Sequence, residues 1–313
     1  MEHASVLLNE TVDLLNVKPN GIYIDGTLGR GGHAAEVAKR LTSGHLYAFD
    51  KDEQALKESA VNLSEWKDRV TLLHADFRSM REELEKYGID RADGVMMDLG
   101  VSSPQFDDPS RGFSYRFDTR LDMRMDLSQK LTAWDIVNRY SFQDLVRILK
   151  MYGEEPRAKA IARAIEKSRA DAPIDTTGQL TDVIRSALPE AVLRKKGHPA
   201  KQTFQAIRIE VNHELDALRE GLDEACAMLK VGGRCAVITF HSLEDRMVKN
   251  CFKKLSSAPF ADPKLPLKAS QMEQASFSLV TKHPVTAGEE ELEQNHRSHS
   301  AKLRVIERIK ETE

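Results

Sequence analysis

Over its first hundred residues the chain alternates short apolar runs with stretches whose apolar positions recur at helical spacing. Ile22–Asp25, Leu46–Asp50, Val70–His74 and Gly94–Asp98 read as strands, and Gly32–Leu41, Glu53–Leu63 and Met80–Tyr87 as the helices between them. Short buried strands separated by helices predict a parallel sheet covered on both faces, an α/β fold. Near residue 106 the alternation stops. From about 106 to 202 no strand pair is evident, and Ala133–Val137, Phe142–Tyr152 and Ala158–Lys167 place apolar residues at helical period. Strand logic returns with Cys235–Phe240, an unbroken buried strand, and with Ser300–Ile309, where Ala301, Leu303 and Val305 alternate as in an antiparallel edge strand. The stretch Ser256–Lys282 is loop-rich. The pattern therefore predicts a helical domain, 106–202, inserted into an α/β domain made of 1–105 and 203–313.

Charge sharpens that division. The 313 residues carry a net charge of −3, so the molecule as a whole is no general nucleic-acid binder. The 106–202 segment holds 18 Lys+Arg against 14 Asp+Glu, whereas the remainder holds 28 against 35. A positive insert on an acidic body suits a module that binds a polyanion. No apolar stretch is long enough to span a membrane, and the start of the chain lacks the pattern of a signal peptide. Cys226, Cys235 and Cys251 are odd in number and widely spaced, which predicts buried reduced thiols in a cytoplasmic protein. No metal-ligand spacing appears.

The first strand runs into Asp25-Gly26-Thr27-Leu28-Gly29-Arg30-Gly31-Gly32-His33, and Asp50 ends the second strand. A strand, a glycine-rich turn, a helix start and an acid about 20 residues on is how a βαβ unit holds an adenosine cofactor. Gly29, Gly31 and Ala34 also fit a dinucleotide fingerprint, so a nicotinamide-dependent oxidoreductase stays open. Asp25, however, would meet a pyrophosphate there, where a carboxylate is unwelcome. Beside the ammonium and sulfonium of S-adenosylmethionine an acid is welcome.

Further candidates follow the other strands. Asp76 and Phe77 stand where an adenine would lie, or else serve as a helix cap and a core aromatic. Asp98, Ser102 and the nearby carbonyls, before Pro104-Gln105, sit where substrate meets cofactor; acceptors aimed at an exocyclic amine would stabilise the charge that develops on it. The segment from Asp107 to Asp126 interleaves Arg111, Phe113, Tyr115 and Arg124, a mixture that suits single-stranded RNA or an ordered loop packed on the core. A helix over Thr203–Glu214 places Phe204, Ile207, Val211 and Leu215 on an apolar stripe and Gln205, Arg208 and Asn212 on a polar face. Lys195, Lys196 and His198 precede it and can meet phosphates. After the Cys235–Phe240 strand, Ser242 and Asp245 read as a capping box, and His241 as a substrate contact or proton acceptor.

These motifs resemble the bacterial small-subunit ribosomal RNA cytosine-N4 methyltransferases. The likeness is carried by the loop over 25–33, Asp-Leu-Gly-Val-Ser-Ser-Pro-Gln over 98–105, Arg-Gly-Phe-Ser over 111–114, Leu-Asp-Met-Arg-Met-Asp over 121–126, Thr-Phe-Gln-Ala-Ile-Arg-Ile over 203–209 and Phe-His-Ser-Leu-Glu-Asp-Arg over 240–246. It runs from Val6 to Arg304, nearly the whole chain. The resemblance implies the class I, Rossmann-like methyltransferase fold with an inserted helical domain, S-adenosylmethionine as donor, and a cytosine of the ribosomal decoding region as acceptor. By motif position it implies that Gly31, Gly32, His33, Asp50, Phe77, Asp98 and Gln105 contact the cofactor. Presentation of one base by tertiary structure would favour the assembled small subunit as partner. A non-catalytic RNA-binding assembly factor with the same fold stays open, and so does a homodimer.

Overall fold

The structure, a computed structural model, describes residues 5–100, 106–258, 275–295 and 297–311. It divides into two compact units, Met1–Gly100 with Leu215–Glu313, and Val101–Glu214.

The first unit is built on a seven-stranded sheet. In chain order its elements are α1 (Leu8–Leu15), β1 (Ile22–Asp25), α2 (Gly32–Arg40), β2 (His45–Asp50), α3 (Glu53–Asn62), β3 (Val70–His74), α4 (Met80–Glu85) and β4 (Ala92–Asp98). The helical unit follows, and its elements are α5 (Ala133–Arg139), α6 (Phe142–Met151), α7 (Ala158–Asp171), α8 (Thr177–Ser186), α9 (Glu190–Leu193) and α10 (Lys201–Asn212). The chain then re-enters the sheet unit with α11 (Glu214–Met228), β5 (Leu229–Thr239), α12 (Ser242–Leu255), β6 (Phe277–Leu279), α13 (Glu289–Gln294) and β7 (Lys302–Arg308).

Strand order is β3-β2-β1-β4-β5-β7-β6. The first five strands pair in parallel, and β7 runs antiparallel to both β5 and β6. Successive side chains of a strand enter opposite faces. Tyr23 thus joins the apolar cluster on one side of the sheet with Leu46, Met96 and Val305, and Ile24 joins the other with Phe49, Met97 and Phe252. Burial on both faces explains why the strands read as continuous apolar runs.

Two expectations about this sheet are corrected. The Ser300–Ile309 segment forms β7, which is not an edge, because it lies between β5 and β6. Its polar positions point into ion pairs and carbonyls rather than water: Arg304 meets Asp245 at 2.7 Å, and Arg308 donates to the Cys226 carbonyl at 3.1 Å. The edge is β6, three residues inside the stretch read as loop. Strand β5 also starts earlier than expected, since a register shift opposite Ala92 and Gly94 accommodates Lys230–Gly233.

The helical unit has its own core, with Ile136, Leu145, Ile148, Ile161, Leu180 and Ile184 at its centre. It extends to Glu214, beyond the boundary expected at 202. The reason lies in α10: Phe204, Ala206, Ile207 and Val211 bury their side chains in this core. Among the described residues no helix is long and apolar enough to cross a membrane.

Candidate active site

In a parallel sheet the strand ends, the following turns and the helix N-termini converge at the carboxyl edge. Here the turn after β1 is shaped by Gly31, which adopts φ 79° at the N-cap of α2. That left-handed conformation suits glycine, and a Cβ there would lie 3.2 Å from the Leu63 side chain. Gly32 opens the helix. Asp25, 2% exposed, ends β1 and accepts a hydrogen bond from the Thr27 N–H at 3.0 Å. Asp50, at the end of β2, accepts from the N–H groups of Gly29 (2.9 Å) and Asp52 (2.8 Å), and so ties the glycine loop to the neighbouring strand.

Asp98 ends β4, and its N–H donates to Thr27 Oγ1. Its carboxylate Oδ2 lies 3.8 Å from His33 Nδ1, too far for a hydrogen bond. Oδ1 is buried and has no hydrogen-bond partner among the described residues. His33 sits in the first turn of α2, 7% exposed, with Nε2 3.1 Å from the Val6 carbonyl. Burial pulls its pKa down to about 4, so the ring is neutral; the Val6 carbonyl takes the Nε2–H, which leaves Nδ1 as a lone pair facing Asp98.

Three carboxyls thus end neighbouring strands at one edge of the sheet, and all are pushed up. Burial raises Asp98 to about 8, helped by repulsion from Asp25 and Glu244 and opposed by Arg297. Burial raises Asp25 to about 7, with the Thr27 N–H opposing and Asp50 adding. Burial raises Asp50 as well, against its two backbone hydrogen bonds. Mutually repelling acids, with one oxygen unpartnered among the described residues, favour a cationic ligand, because a positive charge relieves both desolvation and repulsion.

The remaining candidates divide. Phe77 follows β3 and packs closely: a Cβ on Gly221 of α11 would come within 2.3 Å of its ring. Asp76 accepts from the Arg78 N–H at 3.0 Å and pairs with the Arg78 guanidinium, which is the work of a cap. The expected capping box at Ser242 and Asp245 is corrected. The box belongs to His241 and Glu244, one residue earlier, and Asp245 instead pairs with Lys302 and Arg304. Glu244 Oε2 accepts from the Phe240 (2.8 Å) and His241 (3.3 Å) N–H groups, and Oε1 lies 3.1 Å from His241 Nε2. His241 Nδ1 thus serves a helix start, whereas its buried Nε2 makes no hydrogen bond among the described residues. Ser102 and Gln105 lie outside the described residues. Glu244 and Arg297 were missed in the sequence, although an acid three residues after a cap position is a readable signal for the first.

Most of the residues expected to face RNA are used inside the helical unit. Arg111 donates to the carbonyls of Arg124 (3.0 Å) and Met125 (2.9 Å), which closes the 111–125 loop. Phe113 is 4% exposed, in the core. Arg124 grips Asp122 through two nitrogens, both at 2.8 Å, and the carbonyls of Leu127 and Gln129. Arg208 is held by both oxygens of Glu214 at 2.8 and 2.7 Å. Asn212, 4% exposed, accepts from the Met125 N–H (2.7 Å) and donates to the carbonyls of Met123 (2.8 Å) and Arg208 (2.9 Å). Tyr115 is half-buried, and Lys195 and Lys196 are exposed.

The sheet order, the glycine turn, the acid ending β2, the aromatic after β3 and the acid ending β4 together define an S-adenosylmethionine-dependent methyltransferase. The residues present fit that donor: its two positive charges would be welcome beside the acids, and Asp98 Oδ1 is a buried acceptor with no hydrogen-bond partner among the described residues. Residues 1–309 match the MraW methylase family, and the chain belongs to it. It is 53% identical over 310 residues to ribosomal RNA small subunit methyltransferase H of Limosilactobacillus fermentum, covering 98% of each chain. It is 52% identical over 311 residues to the protein of the same description from Exiguobacterium sibiricum, covering 99% of each. Family membership sets aside the oxidoreductase reading, in agreement with the acidic cleft, where a pyrophosphate would be repelled.

Proposed function

We propose that this enzyme methylates N4 of a cytosine in the decoding region of small-subunit ribosomal RNA, in the cytoplasm and on the assembled subunit. The observation that carries the reading is Asp98: a half-buried carboxyl at the end of β4 whose buried Oδ1 has no hydrogen-bond partner among the described residues, beside a neutral histidine and the buried Asp25. Bound beside it, S-adenosylmethionine supplies an electrophilic methyl group on a cationic sulfur. Asp25 and Asp98 hold positive charge in the cleft. Asp50, which braces the glycine loop, lies where the acid of a βαβ unit meets a ribose. The exocyclic amine of cytosine is a poor nucleophile because its lone pair is delocalised into the ring. Catalysis by this chain therefore rests on positioning and on the acidic field that stabilises charge developing on nitrogen. Assembled subunits favour the reading, because folded RNA can present one base where a free strand would not.

The test is incubation of unmethylated small subunits with the enzyme and methyl-labelled donor, followed by nucleoside mass spectrometry. N4-methylcytidine at one decoding-region position, lost in Asp98→Ala, is expected. Label on another base would refute the acceptor. Full methylation by Asp98→Ala would refute the role of the carboxyl.

A further inference from the structure

The helical unit carries a cluster of its own, whose chemistry differs from that of the acids. Tyr115 and His198 lie ring on ring, with centroids 4.0 Å apart and planes 4° from parallel. Phe204, 4% exposed in α10, meets the Tyr115 ring edge-on at 5.7 Å and 86°, and so fixes it from the core side. His198 Nδ1 accepts from the Ala200 N–H at 3.3 Å, which orients the ring and leaves the proton on Nε2. Among the described residues no third ring covers His198, and the ring is half-exposed.

The surroundings are basic. Arg185, Lys195, Lys196 and Lys201 are exposed and make no ion pair with any acid among the described residues. Arg194, in contrast, is paired with Glu190 at 2.9 Å. Arg185 is close enough to His198 to depress its pKa, after burial. Directly beyond Tyr115, Arg116 is exposed and Phe117 is 42% exposed. Core packing accounts for Tyr115 and Phe204 but not for the half-exposed His198 ring laid over them, with cations around it that pair with no acid among the described residues. Stacking supplies attraction for any base, cations follow the phosphates, and the combination is how proteins bind unpaired strands.

We propose that the Tyr115–His198 stack is a platform for one unpaired nucleotide of the substrate RNA, with Lys195 and Lys196 on its phosphates. The proposal rests on the ribosomal RNA reading above and deepens it. An acidic protein segment would use the same lysines without the rings, so the rings decide between the two partners.

The experiment uses the full chain and a single-stranded 12-nucleotide RNA carrying one 2-aminopurine, whose fluorescence is quenched by stacking. Wild type should bind with quenching, and His198→Ala should lose the quenching while His198→Phe restores it. Lys195→Gln with Lys196→Gln should lower the slope of log K against log salt by about 1.4, at about 0.7 per phosphate contact on a single strand. Calorimetric titration with S-adenosylmethionine, unchanged in all three variants, confirms folding. Equal quenching in wild type and His198→Ala overturns the proposal, as does competition by polyglutamate as strong as that by RNA. Failure of the function itself looks different: wild type would then leave small subunits unmethylated whatever the oligonucleotide does.

Discussion

Binding of S-adenosylmethionine should be coupled to proton release, and the raised carboxyls set its size. Asp98, at about 8, and Asp25, at about 7, are largely protonated in the free protein below neutrality. A sulfonium and an ammonium in the cleft favour the ionised forms, so binding expels protons and the apparent affinity rises with pH. Between pH 5.5 and 7.5 Asp98 alone should change Kd on the order of 100-fold, and Asp25 on the order of 10-fold more, if both are fully ionised in the complex. The ligand's own α-amino group, of pKa about 7.7–8.0, stays mostly charged up to pH 7 and flattens the trend only toward pH 7.5. The assay is calorimetric titration across that range in buffers of different ionisation enthalpy, which counts protons directly. Asp98→Asn should release about one proton fewer at pH 6.5. S-adenosylhomocysteine, which lacks the sulfonium charge, should show a shallower dependence. The sign for stability is opposite. The folded state keeps protons that the unfolded chain releases near 3.8, so ligand-free stability falls from about pH 4 to pH 8, and Asp98→Asn should raise the Tm of the free protein at pH 8. Affinity that is flat with pH, with no dependence on buffer, would refute the reasoning.

Two other expectations are simpler. Asp76→Ala should cost about 1 kcal/mol in denaturant melts as a lost cap and leave donor affinity unchanged; a tenfold weaker Kd would place Asp76 in the donor site instead. Asn212→Ala leaves the buried Met125 N–H and Met123 carbonyl unpaired, at a cost of about 2–4 kcal/mol, visible as a lower Tm in calorimetry.

The parallel strands were legible because burial on both faces writes an unbroken apolar run, and β1 and β3 fall on the expected residues. The place of Asp98 was legible because an acid closing such a run falls at the carboxyl edge of the sheet. Other features were not, for identifiable reasons. The apolar stripe of α10 says that one face is buried but not against which core, so the helix was given to the sheet unit. The three residues of β6 are too few to show a period. Arg111, Phe113 and Arg124 illustrate a deeper ambiguity: arginines among aromatics compose an RNA-binding strip and a self-stapled loop equally well, and only the carbonyls around each guanidinium tell them apart. His241 drew attention as a lone histidine after a strand, yet a ring nitrogen accepting the Glu244 N–H caps a helix as a serine would.

The place of β7 has a kinetic side. It fills the gap between β5 and β6, and Lys302 lies 63 residues after Thr239, the β5 residue whose hydroxyl bonds to its carbonyl. At about 5–20 residues per second, a ribosome needs several seconds to make that stretch. During those seconds a nascent chain carries β5 with one unsatisfied row of amides and carbonyls, the kind of edge that recruits strands from other molecules. Misassembly of this enzyme should therefore be decided during synthesis, in the interval before its penultimate ladder can close.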